Sequence, residues 1–189
     1  ITQWNMPWYT MVPPYGDNAL NGHAWVPIDD ENCFAWSFTY HPTRPLSAEE
    51  IEVMSEGGGI HVKYVPGSFR PLINKDNDYM IDRAAQKAGR TFSGVESIAM
   101  QDASVQESMG PISDRTRENL VSTDNAIIMA RFRLRKAAMD LQNGIDPPGT
   151  TPSCHAVRSA AFVLPADKPF QSERAEALVS REGVAHTSI

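Results

Sequence analysis

The sequence predicts an α+β domain in which an antiparallel sheet packs on helices. Three observations carry that expectation. Residues 1–42 are rich in aromatic and β-branched side chains broken by turn residues, helical signals gather after residue 47, and one long helix with clear ends sits late in the chain.

Trp4, Trp8, Tyr9, Met11 and Val12 begin the β-rich part, and residues 13–21, rich in Pro, Gly and Asn, form a turn. Residues 23–28 and 33–40 then read as a strand pair around Asp29-Asp30-Glu31-Asn32, a hairpin. Ser47-Ala48-Glu49-Glu50 opens a short helix in capping-box form, and Gly57-Gly58-Gly59 ends it. Residues 60–78 form a long surface excursion with a strand at 60–65, the kind of loop that covers binding sites. Residues 79–88 read as a helix or a mobile segment. It leads into a helix that carries Val95, Ile98, Ala99, Asp102, Val105 and Met109 and stops at Gly110-Pro111.

The strongest helix starts at Thr123 or Asp124 and runs to Asn143, with Gly144 as terminator and Pro147-Pro148 beyond. Ile127, Ile128, Phe132, Leu134, Ala138 and Leu141 give it a broad apolar face, while Arg131, Arg133, Arg135 and Lys136 form a solvated basic flank. A late strand covers 156–164. From Pro165 onward the chain reads as a surface tail, 166–189, with a short helix near 173–179.

At 189 residues, 41% hydrophobic and 21% charged, the sequence has the size and composition of one globular domain. A net charge of −6 and a pI near 5.3 argue against a nucleic-acid or acidic-membrane partner, because either requires a basic field. Neither a membrane-length apolar run nor a signal-peptide pattern is present, so a cytoplasmic address is the expectation. Cys33 and Cys154 lack any Cys-x-x-Cys spacing and read as two buried or idle thiols. With Ile1 in place of an initiator Met and a strand already under way, the chain reads as the later part of something longer.

Asp102 is the most informative residue. Val95, Ile98, Ala99, Asp102, Val105 and Met109 recur at steps of three and four, so a carboxylate stands in the middle of an apolar stripe. Such a charge must protonate, pair or bind a cation if the stripe is buried. A structural acid taking hydrogen bonds from a backbone or an arginine explains the position as well as a metal ligand does. His23, His41, His61, His155 and His186 include no pair at the spacing that places two ligands on one helix. No Gly-x-Ser-x-Gly and no phosphate-cradling glycine loop occurs. Glu49, Glu50 and Glu52 read as surface acids.

Several longer stretches have a recognisable pattern. They are Asn77-Asp78-Tyr79-Met80-Ile81-Asp82-Arg83, Phe92-Ser93-Gly94-Val95, the run from Gln101-Asp102 through Val105-Gln106-Glu107 to Gly110-Pro111-Ile112, Asp114-Arg115-Thr116, and Ser122-Thr123-Asp124 before an Arg-rich helix. Together with the residues 23–32 they resemble the C-terminal catalytic region of Rieske non-haem iron aromatic-ring oxygenase α-subunits, in the group similar to phthalate 4,5-dioxygenase oxygenase subunits. The resemblance covers about residues 1–165.

That resemblance implies a helix-grip (START/Bet v1-like) fold, here a partial catalytic domain. It also implies that Asp102 is the carboxylate of a two-histidine, one-carboxylate Fe(II) site, whose open positions take O₂ beside an aromatic substrate. Gln101 becomes a candidate for hydrogen bonding around that site, and Glu107 for helix-surface or structural pairing. Asp114, Arg115 and Glu118 match the pattern but read as a salt-bridged turn.

The family's Rieske Cys-His pairs and its two iron-ligating histidines lie upstream of the matching region and have no counterpart in these residues. The expected cofactors are therefore mononuclear Fe(II), with one ligand here, and a 2Fe-2S Rieske cluster bound elsewhere in the full subunit. Expected partners are an aromatic small molecule, O₂, a reductase or ferredoxin electron donor, and further copies of the subunit. On that expectation the enzyme hydroxylates or demethylates its substrate, and this stretch alone does not turn over. The alternatives are a non-catalytic helix-grip domain that binds an apolar ligand, and a structural remnant that serves oligomerisation.

Overall fold

Four strands, β1 (Gln3–Asn5), β2 (Tyr9–Val12), β3 (Leu20–Pro27) and β4 (Cys33–Tyr40), form an antiparallel meander in the order β1-β2-β3-β4. The computed structural model describes residues 2–13, 16–169 and 178–179. These divide into two compact units. Residues 1–28, 33–44 and 114–189 make the first, and residues 29–32 and 45–113 the second.

In the first unit the hairpin register pairs Leu20 with Tyr40, Gly22 with Phe38, and Ala24 with Trp36. Alternation puts the small residues of β3 and the aromatic residues of β4 on one face, and Leu20, Gly22 and Ala24 are buried there. Gly22 is required at its place. A Cβ there would lie 2.2 Å from Phe38 Cζ and 2.8 Å from the Thr10 carbonyl oxygen. The opposite face is polar and internally bonded: Thr39 donates to Asn21 Oδ1 at 2.7 Å, the Ser37 hydroxyl lies 3.2 Å from His23 Nδ1, and His23 stacks on Trp25.

Helix α4 (Asn125–Gln142) follows two 3-10 turns, at Arg115–Arg117 and Ser122–Asp124. Asp124 is its N-cap residue, although its carboxylate accepts from Val121 N (2.9 Å) rather than from a helix amide. Asn143 and Gly144, with φ of 73°, close the helix where the sequence predicts. The expected broad apolar face does not become core: α4 contains no buried residue, and Ile127, Ile128, Phe132, Leu134 and Leu141 are exposed.

The strand expected at 156–164 does not form either. That stretch makes one bridge, Val157 to Val179, and is held by Ser159, which is buried and donates to the Val12 carbonyl at 2.9 Å. The helix expected near 173–179 falls mostly outside the described residues, and Val179 sits in the bridge. Neither cysteine is buried or bonded to sulfur. Cys33 and Cys154 are exposed free thiols.

The second unit holds α1 (Ala48–Ser55), a 3-10 segment at Lys75–Met80, α2 (Arg83–Lys87) and α3 (Ile98–Glu107). The α1 capping box is complete: Ser47 Oγ accepts from Glu50 N at 3.1 Å, and Ser47 N donates to Glu50 Oε2 at 2.7 Å. Of the strand expected at 60–65 there is only a single bridge, Tyr64 to Pro71. Gly59 with φ of 61°, Pro66 and Gly67 interrupt it on both sides. The unit's core is small. Tyr79, Val95 and Met100 are buried, with Val62, Ile73, Ile81 and Ala103 packed against them. Burying the side chains of Tyr79 and Met100 stabilises by roughly 1.5–3 kcal/mol each.

Candidate functional site

Asp102 occupies the middle of α3, as the sequence predicts, but on the other side of the helix from the core. The stripe expected to be buried faces outward: Ile98 is 59% exposed, Val105 66% and Met109 59%, and Asp102 is exposed among them. Only Val95, which precedes the helix, is buried. The inward stripe is instead Met100 and Ala103, with Glu107 continuing it at the next helical step. The reason is tertiary. Tyr79, 28 residues from Glu107, fills the space on the inner side of α3, and no local pattern shows where that partner will be.

The Asp102 carboxylate has no hydrogen bond or ion pair among the described residues, so the reading of a hydrogen-bonded structural acid finds no donor there. An exposed carboxylate of this kind is a hard oxygen donor. In donor chemistry it fits the single carboxylate of a mononuclear iron site. A complete site is absent from these residues, where no three His, Cys, Asp or Glu side chains come together as a metal ion would need. His23 belongs to the sheet, His41 lies 3.2 Å from Asp17, and His155 Nε2 lies 2.9 Å from the Gly149 carbonyl oxygen. His186 lies outside the described residues. Burial holds the pKa of His61 below the usual imidazole range.

Gln101 is half-buried and lines an open groove of about 700 Å³ within the second unit, together with Val53, Val62, Leu72, Ile73 and Met100. Glu56 and Lys63, paired with each other, stand at the same groove. Ile98, one turn before Asp102 on the outer face of α3, also lines it. Trp36, Phe92, Ile98 and Val105 are exposed, Phe92 almost completely.

Glu107 has the structural pairing expected of it. Its carboxylate accepts a hydrogen bond from the Tyr79 hydroxyl. Burial first, then that bond and the nearby negative charge of Glu107, push the phenol up to about 12. Sequence reasoning missed Tyr79, placed in a segment read as helix or mobile. The available signal was its setting: an aromatic residue within an Asn/Asp-rich run suited to left-handed turns.

Asp114, Arg115 and Glu118 form the expected turn in the first unit. Asp114 Oδ1 accepts from Thr116 Oγ1 (2.7 Å) and from Thr116 N (3.0 Å), which lowers its pKa. Glu118 takes a two-pronged bond from Arg131 at 2.6 and 2.8 Å and lies 3.9 Å from Arg115. The Arg131 bonds hold the Glu118 carboxyl below its usual range. These groups tie the turn to α4 and are not arranged to react. No helix among the described residues is long and apolar enough to cross a membrane.

Residues 1–181 match the model of a family described as LigXa C-terminal domain like. The chain is 32% identical, across 92% of its length, to the 3-chlorobenzoate-3,4-dioxygenase oxygenase subunit of Comamonas testosteroni, of which it covers 44%. It is 30% identical, across 82% of its length, to the phthalate 4,5-dioxygenase oxygenase subunit of Pseudomonas putida, of which it covers 35%. The chain thus spans less than half the length of either relative. By its match over residues 1–181 it belongs to the LigXa C-terminal domain-like family.

Proposed function

We propose that the chain is the part of an oxygenase α-subunit that presents Asp102 to a mononuclear Fe(II), in an enzyme that hydroxylates or demethylates an aromatic compound with O₂. The observation that carries this reading is Asp102 itself, an exposed carboxylate with no hydrogen-bond or ion-pair partner among the described residues, fixed at the centre of a short helix. The two nitrogen donors, and the Rieske cluster that passes electrons to the iron, belong to other parts of the full subunit. When bound, the iron supplies the activation of O₂.

The residues of this chain have simpler tasks. α3 holds the donor on a rigid element, which positions a ligand better than a loop does. The apolar residues Ile98, Val105 and Met109 around Asp102 favour a low-dielectric setting once that face is covered, and a carboxylate in such a setting stays ionised only where a cation or hydrogen-bond donors compensate it. In this reading residues 1–165 are the C-terminal part of a helix-grip catalytic domain and 166–189 a tail. An aromatic substrate, O₂, a reductase or ferredoxin and further copies of the subunit are its partners, in the cytoplasm. The full-length protein, given iron, a reductase and an aromatic carboxylate such as phthalate or 3-chlorobenzoate, should consume O₂ with matching product, and lose that activity on chelation. Product formation that survives complete iron removal would refute the reading.

A second reading has the groove of about 700 Å³ in its favour. Its volume and mostly apolar lining suit a small hydrophobic ligand held without redox chemistry. Binding of an apolar fluorescent probe, weakened by Met100→Gln and indifferent to iron, would favour that reading over catalysis.

A further inference from the structure

We infer that Tyr79 is a positioning residue for Asp102: it sets the rotation of α3 and thereby the direction in which the Asp102 carboxylate is presented. The inference rests on the reading of Asp102 as a metal donor.

Tyr79 engages α3 at two levels. Its ring belongs to the core formed with Met100 and Val95, against which Ala103 packs, and its hydroxyl donates to Glu107 one turn further along. Met100, Ala103 and Glu107 follow steps of three and four, so they mark one line along the helix. Asp102 lies nearly opposite that line, at about 100° of rotation per residue. Packing alone leaves a short helix free to roll by part of a turn. A directional bond placed beyond the packed residues removes that freedom, because rolling would pull Glu107 off the phenol.

The backbone that delivers Tyr79 is the second observation. Asp78, Tyr79 and Met80, none of them glycine, have φ values of 52°, 52° and 49°. Consecutive left-handed residues persist only where their surroundings over-determine them. Here Asn74 and Asn77 do so. Asn74 N donates to Asn77 Oδ1 at 2.9 Å, Asn77 Nδ2 to the Leu72 carbonyl at 2.7 Å, and Tyr79 N to the Asn74 carbonyl at 2.9 Å. The result is that Tyr79 points inward while its neighbour Met80 is left exposed. Filling the core needs only a phenyl ring. The hydroxyl, aimed at a carboxylate on the helix that carries Asp102, is what the strained run adds.

The test uses the full-length protein loaded with Fe(II). Tyr79→Phe keeps the ring and removes the bond, Glu107→Ala removes the acceptor, and Glu107→Gln retains one. The readouts are Fe(II) affinity and the electron paramagnetic resonance spectrum of the ferrous nitric-oxide adduct, with thermal unfolding followed in parallel. Tyr79→Phe and Glu107→Ala should each weaken Fe(II) binding about tenfold and change the symmetry of the spectrum, whereas Glu107→Gln stays near wild type. A folded Tyr79→Phe protein with lowered thermal stability but wild-type affinity and spectrum would overturn the positioning role. If Tyr79→Phe does not fold, the Glu107→Ala and Glu107→Gln pair decides by the same readouts. Asp102→Ala run alongside separates the two claims: wild-type iron binding in that variant removes the donor reading, and the positioning role with it.

Discussion

α3 and α4 are both amphipathic by sequence and both end where their terminating residues say they should, yet only α3 carries a buried residue. The 10 residues of α3 include the buried Met100 and take a bond from a distant tyrosine, while the 18 residues of α4 bury nothing. Local signals, such as a capping side chain or a following glycine, determine where a helix starts and stops. Which side turns inward is decided by partners remote in sequence. For α3 that partner is Tyr79, and it reverses the face expected from hydrophobic spacing.

The contrast can be broken by truncation. Met100→Ala should cost about 2–5 kcal/mol, read by chemical denaturation of the 189-residue chain. Phe132→Ala on α4 should stay within about 0.5 kcal/mol. Equal losses at the two positions would erase the difference between the helices.

The alkaline limb of stability sharpens the same contrast. Tyr79 has a folded pKa of about 12, above the ordinary phenol value near 10. Its contribution is complete below pH 10 and is lost as pH rises from 10 to 12. Tyr79→Phe should flatten the fall in stability over that window, and an unchanged slope would remove the buried, bonded phenol from the account.

In the sheet, Gly22→Ala should cost about 1–3 kcal/mol, because the new methyl meets the Phe38 ring and the Thr10 carbonyl. A neutral outcome in thermal unfolding would mean that Phe38 moves aside freely. Loss of a cap is a smaller effect than the sheet substitution: Ser47→Ala should cost about 1 kcal/mol and fray the start of α1, visible as faster amide exchange there.

Legibility followed the range of the interactions. The β3–β4 hairpin could be read because Asp29 closes its own turn, accepting from Glu31 N at 2.8 Å and Asn32 N at 2.7 Å within four residues. α1 and the ends of α4 were equally local. The strands expected at 60–65 and 156–164 were not found, since apolar residues there are used singly, Val62 in a core contact and Val157 in one bridge. Asp102 was found as an anomaly of sequence, and the structure changes the nature of that anomaly. It is an open carboxylate on an apolar, outward face, where it had been read as a buried charge. Tyr79 could not be found by periodicity, because its role comes from three left-handed residues and a bond spanning 28 positions.

The central claim is that Asp102 donates to iron, and metal stoichiometry measures it most directly. Wild-type full-length protein and its Asp102→Ala variant, matched in circular dichroism, should be loaded anaerobically with Fe(II) and assayed for iron that a ferrous chelator removes separately from cluster iron. The account predicts that mononuclear iron falls to near zero in the variant while the cluster and fold are retained. Full mononuclear occupancy in a folded Asp102→Ala protein would contradict it.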